Sequence, residues 1–141
     1  MENRRYWVLT AIQIAAAAAL GWGLVTWTSP WNLQRYVGTV LVVVGISCIA
    51  VARVQLGKSF SITPQARQLV TSGLYSKIRN PIYVFGAVAV AGLILVVQKP
   101  VLWIFFVLLV AGQGLRARRE ARVLEAAFGD AYREYRRKTW F

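Results

Sequence analysis

Four uncharged runs break up an otherwise charge-rich chain. Trp7 to Trp27 is 21 residues long and carries no charge, enough to cross a bilayer as a helix. Tyr36 to Ala52 gives 17, Ile82 to Val97 gives 16 with Gln98 as an extension, and Val101 to Leu115 gives 15. The pattern predicts an all-α, polytopic membrane protein in a single domain, residues 1–141. Four transmembrane helices are expected at about 7–27, 36–52, 82–98 and 101–115. The last two runs are short taken alone. Pro100 between them signals a tight hairpin, and flanking Lys and Arg can snorkel to the interface. A re-entrant hairpin is the competing reading for that pair.

Two polar stretches remain. The connector, residues 53–80, holds Gly57, Pro64 and Gly73 and is too broken for one helix. Within it "KSFSIT" alternates like a short extended piece, and "PQARQLV" suits a short helix with Pro64 in its first turn. The tail, residues 116–138, predicts a helix continuing from the fourth span, with Gly129 loosening it. Ala117, Ala121, Leu124, Phe128, Ala131 and Tyr135 fall on one helical face. Arg116 with Glu120, and Glu134 with Lys138, are spaced for ion pairs one turn apart.

Charge then orients the chain. The net charge is +12 although 57% of the residues are hydrophobic. With both termini cytoplasmic, 15 of the 17 Lys and Arg fall on the cytoplasmic side, leaving Arg35 and Lys99 opposite. That asymmetry is the positive-inside pattern. It accounts for the basicity, together with attraction to anionic headgroups, without a nucleic-acid partner. An inner or plasma membrane is the expected location. The N-terminal apolar run is too long for the core of a cleavable signal peptide.

Several chemistries drop out. The chain has no His, and Cys48 is its one cysteine, so neither a thiolate metal site nor a disulfide framework is expected. Cys48 reads as a small apolar filler. No acidic residue lies in any span, which argues against a proton-coupled pump. No glycine fingerprint follows a strand, so a Rossmann cofactor domain is excluded. Gln13 and Gln113 lie within spans and suit hydrogen bonding between helices.

The stretch "GLYSKIRNPIYVFG" resembles the Gly-x-Tyr…Arg-His-Pro-x-Tyr motif of the isoprenylcysteine carboxyl methyltransferase and phospholipid methyltransferase superfamily. The tail "REARVLEAAFGDAYREY" resembles its second signature, and "LGKSFSI" the segment that precedes the first. The likeness covers roughly Leu56 to Tyr135, with two spans between the motifs. It implies an integral membrane methyltransferase using S-adenosylmethionine, with a lipophilic acceptor entering from the membrane: a small molecule, a lipid or a prenylated group. By position it implies Tyr75, Arg79, Asn80, Pro81, Tyr83 and Glu120 as cofactor-site residues, with Arg79 and Asn80 at the reacting centre and no metal.

The chemistry of these side chains agrees with that implication. A guanidinium forks onto a carboxylate, either the cofactor's or an anionic acceptor's. Glu120 accepts from ribose hydroxyls or an ammonium, and tyrosine rings stack on adenine or face a sulfonium. Pro81 suits the first turn of the third span. Asn80 stands where the family has His, and Ala121 where it has a second Glu. Asn does not titrate near neutral pH, which suits an acceptor that is already anionic. Arg79 also reads as a topogenic charge, Glu120 as the mere partner of Arg116, and the tyrosines as interfacial belt residues. The rival classes are a non-catalytic four-span scaffold or small transporter subunit, and a family member that binds cofactor without turnover.

Overall fold

The computed structural model describes residues 19, 22, 23, 26, 30–57 and 69–141. Most of the first expected span, Gln13, "KSFSIT" and most of "PQARQLV" lie outside the described residues. The chain divides into two compact units, Met1–Leu33 and Gln34–Phe141. In the first, Ala19, Trp22, Gly23 and Thr26 are helical, and the Thr26 hydroxyl donates to the Trp22 carbonyl at 2.8 Å. That is the back-bonding common for Thr in apolar helices.

The described part of the second unit is helical, with no strand beyond one isolated bridge between Ile78 and Trp140. Helix α1 is Leu33–Leu56, α2 is Pro81–Val97, α3 is Leu102–Phe128 and α4 is Asp130–Lys138. Helix α1 contains the second expected span and extends past it at both ends. It is long and apolar enough to cross a membrane. Helix α2 is a shorter, wholly apolar helix. It begins at Pro81, as expected for a first-turn proline whose missing N–H has no intrahelical role. It ends at Gln98, whose left-handed backbone (φ 58°) caps the helix through its N–H to the Ile94 carbonyl at 2.8 Å. The connection through Pro100 is the predicted tight hairpin.

Small residues let α1 and α2 meet. A methyl group added to Gly38 would stand 2.6 Å from the Gly92 carbonyl oxygen, and one at Gly45 would stand 2.8 Å from Ala89. Backbones this close exclude any larger side chain, the usual way apolar helices pack where lipid removes the hydrophobic drive. The near approach falls at Gly92 and Ala89. Gly86, beside Phe85, has its nearest neighbour in Gln113 of α3, at 3.8 Å from an added methyl.

Helix α3 joins the fourth run to the tail without a break, about 40 Å at 1.5 Å per residue. Its first half exposes Trp103, Ile104, Phe105, Val107 and Leu108. Its second half turns Ala117 inward, with Ala121, Leu124 and Phe128 half-buried behind it, as the spacing predicts. The expected single helix over 116–138 is corrected here. Gly129, at φ 52° and ψ −122°, ends α3 and starts α4 in a backbone region that suits only glycine. The register resets there, so Ala131 is exposed and Tyr132 is buried beside Tyr135. Arg133 bonds Glu125 at 2.9 Å and Asp130 at 3.1 Å, bracing the elbow from both sides.

Candidate functional site

The polar end of the bundle is built from the connector outward. A short 3-10 turn, Gly73–Ser76, is pinned to α1 by the Leu74 N–H donating to Gln55 Oε1 at 2.8 Å. This turn drives Tyr75 inward, where it is buried. Next, Lys77 to Asn80 run beside Trp140 and Phe141. The Trp140 N–H donates to the Lys77 carbonyl at 2.8 Å, the Arg79 N–H to the Trp140 carbonyl at 2.9 Å, and the Asn80 N–H to the Phe141 carbonyl at 3.0 Å. These bonds satisfy backbone donors that would otherwise be stranded before the helix. They hold Arg79 and Asn80 at a fixed height above Pro81.

Asn80 then serves as the residue before α2. Its carbonyl accepts from the Tyr83 and Val84 N–H groups, while its side chain makes no capping bond. One turn on, the Tyr83 hydroxyl donates to Glu120 Oε1 at 2.6 Å. The same oxygen accepts from Arg116 Nε at 3.0 Å, the predicted pair, and the Arg116 guanidinium stands 5.8 Å from the Tyr83 ring centroid. A charge-assisted bond this short fixes the Glu120 carboxylate across the helix pair.

Helix α4 closes the cluster. The Tyr135 hydroxyl donates to the Tyr75 carbonyl at 2.7 Å, and Tyr132 is buried next to it with the two rings 6.2 Å apart. Burial pushes the hydroxyl of Tyr75 upward, reinforced by Tyr135 and Glu120. Tyr132 is raised first by burial, with Arg79 pulling it down and Glu120 pushing it up. Tyr135 is pushed up to about 12, chiefly by burial. All three therefore stay protonated near neutral pH. Arg79, two residues before Pro81, and Glu120, bonded to Tyr83, both stand at the first turn of α2, in one neighbourhood. Inside it, Arg79 Nε is buried and has no hydrogen-bond partner among the described residues.

The profile of the phospholipid methyltransferase family matches residues 32–131, well over half the chain. The chain belongs to the phospholipid methyltransferase family. No curated protein and no solved structure matches it. The family is one of membrane methyltransferases, so the motif resemblance and the apolar helix α1 agree. In this family member the fold gathers Tyr75, Arg79, Asn80, Pro81, Tyr83 and Glu120 at one end of the α2–α3 hairpin. Among the described residues no group of three His, Cys, Asp or Glu side chains is placed to hold a metal ion.

Residue patterns placed Tyr135 on the inner face of the tail, where it is buried, and set Tyr132 and Tyr135 within the second signature, but gave neither a partner, and gave no role to Gln55 or Trp140. One further signal was available for the two tyrosines. They are the apolar-ringed residues of an otherwise charged segment, "DAYREYRRK", three apart and so on one helical face. Gln55 and the strap Thr139–Phe141 carried no such signal. Their partners lie far away along the chain.

Proposed function

We propose that this family member transfers a methyl group from S-adenosylmethionine to a lipophilic acceptor that is already anionic, of the isoprenylcysteine carboxylate type. The chain would cross the membrane four times and work at its cytoplasmic face. The observation that carries this reading is the buried Arg79 Nε, which has no hydrogen-bond partner among the described residues. A guanidinium donor held out of water and unpaired is costly, so it suits a site that an anion completes.

The side chains fit the donor molecule. Its carboxylate suits Arg79, its ammonium and ribose hydroxyls suit Glu120, and its adenine and sulfonium suit the faces of Tyr75 and Tyr83. When bound, it supplies an electrophilic methyl group for in-line displacement by an acceptor oxygen. For this chain's residues the task is placement: Pro81 and Asn80 set the mouth, and Tyr132 and Tyr135 exclude water.

The family's description names phospholipids, which favours a headgroup amine as the second reading. An amine arrives protonated near neutral pH and must lose a proton before it can attack. Glu120 already takes two donors on Oε1, Asn80 does not titrate, and Tyr75, Tyr132 and Tyr135 are held protonated. A carboxylate acceptor needs no such base; among the described residues of the cluster the one carboxylate, Glu120, is already engaged by Tyr83 and Arg116.

Calorimetry of the purified protein with S-adenosylmethionine and S-adenosylhomocysteine tests the donor site. Binding is expected in the wild type and is lost in Arg79→Ala and Glu120→Ala. No heat in the wild type, or unchanged heat in both variants, defeats it. Methylation of a prenylated cysteine should run flat from about pH 6 to 9, since a carboxylate is ionised throughout. A rate that climbs with pH, with phosphatidylethanolamine as the better acceptor, assigns the amine.

A further inference from the structure

Helix α4 travels back the way α3 came. The Tyr83–Glu120 bond sets Glu120 level with the first turn of α2. From there α3 continues to Phe128, about 12 Å further at 1.5 Å per residue. Gly129 reverses the chain, and α4 covers a comparable distance, about 13 Å, in return. Tyr135 lands on Tyr75, and Trp140 lands between Lys77 and Arg79, directly before the apolar helix that starts at Pro81. The strap is thus delivered to the height at which α2 enters its apolar run.

What the return path carries there is distinctive. Trp140 is 65% exposed although its backbone is bonded on both sides. Phe141 stands beside it with ring centroids 5.9 Å apart. Lys77, whose carbonyl accepts from the Trp140 N–H, and Arg136, Arg137 and Lys138, just before the strap in the chain, are all exposed. Glu134 takes Lys138 at 2.6 Å, and Glu125 faces Arg136 at 3.8 Å, so the patch keeps a cationic surplus. An exposed indole held rigidly at the foot of an apolar helix is poorly placed in water and well placed at a headgroup boundary. Clustered cations beside it match an acidic leaflet.

We infer that Trp140, Phe141 and the surrounding Lys77, Arg136, Arg137 and Lys138 form a docking surface for anionic phospholipid headgroups of the bilayer that holds α1 and α2. The ring pair enters the headgroup boundary and the cations take the phosphates. Orientation of α2 as a span rests on the reading under Proposed function. The headgroup class goes beyond it.

The test uses the full chain in nanodiscs of phosphatidylcholine, with or without phosphatidylglycerol, and with bromine on the acyl chains. Wild-type emission minus that of Trp140→Phe isolates Trp140 from the other tryptophans. Quenching of Trp140 is expected in the anionic discs. It is lost in neutral discs, in high salt and in the triple variant Arg136→Gln, Arg137→Gln, Lys138→Gln. No quenching in any disc, as for a surface that binds an acidic protein instead, overturns the inference. So does quenching that ignores lipid charge, salt and the triple variant. Titrating the same discs with S-adenosylhomocysteine keeps the two readings apart. Heat without charge-dependent quenching sinks the docking surface alone, and charge-dependent quenching without heat sinks the donor site alone.

Discussion

The two ends of the second unit hold together by different physics. Where α1 meets α2, contact is made by absence: Gly38, Gly92 and Gly45 carry no side chain, and backbones approach until a single methyl would collide. Where the connector meets α3 and α4, contact is made by directional groups. Tyr83 reaches Glu120, Tyr135 reaches Tyr75, and three backbone bonds tie the strap to the residues before Pro81. An apolar surround offers no hydrophobic gain for packing helices, so close fit does the work there. At a watery boundary hydrogen bonds compete with solvent, and each adds little alone. The first contact should therefore fail abruptly on one substitution, and the second should fail by degrees.

Gly92→Val tests the abrupt case. The added side chain meets the Gly38 carbonyl oxygen with no flexible neighbour to move, and overpacking of this kind should cost about 3 kcal/mol. Melting of the detergent-solubilised protein is expected to drop by several degrees. Unchanged melting would mean the helices part freely and the close approach contributes little. Gly129→Ala comes second, at about 2 kcal/mol for a side chain forced into a glycine-only backbone region. Its signature differs: α4 is misdelivered, so binding of S-adenosylhomocysteine should weaken more than the melting temperature falls.

Tyr135→Phe is a smaller step, about 1 kcal/mol for one hydrogen bond with the ring retained. It has a pH signature as well. The hydroxyl titrates at the ordinary tyrosine value of 10.0 when unfolded and is pushed up to about 12 when folded. Its share of stability is complete below pH 10 and is lost as pH rises through about 12, because the unfolded chain ionises first. Alkaline melting curves should show that loss in the wild type and less of it in the variant. Equal curves would place the Tyr135 hydroxyl in water. Last, Glu134→Gln removes an exposed pair with Lys138 and should leave the melting temperature unchanged. A clear drop there would overturn the view that α4 is held by its tyrosines and strap.

Much of the site was readable before the fold. Pro81 heads its helix, Arg116 meets Glu120 and Glu134 meets Lys138, because each relation spans one turn or less and helical geometry alone sets it. The pair of signatures around a helical hairpin pointed to the family that the profile match shows. The tail was the failure. A single helix through residue 138 would have carried Tyr132 and Tyr135 away from Tyr75, and the periodicity placed Ala131 on the inner face. Propensity marks Gly129 as a loosened point within one helix, but at φ 52° it ends that helix and the chain turns back, and a propensity says nothing about direction.

Residue order alone was enough for the apolar segments, the charge asymmetry and the chemical types at the mouth of α2, since these follow from local composition and the period of a helix. Folding was needed to bring Tyr135 under Tyr75, Gln55 to Leu74 and Trp140 beside Arg79. Those meetings join positions far apart along the chain. The elbow at Gly129 sets where Tyr135 and Trp140 arrive, and no local pattern encodes the direction it takes.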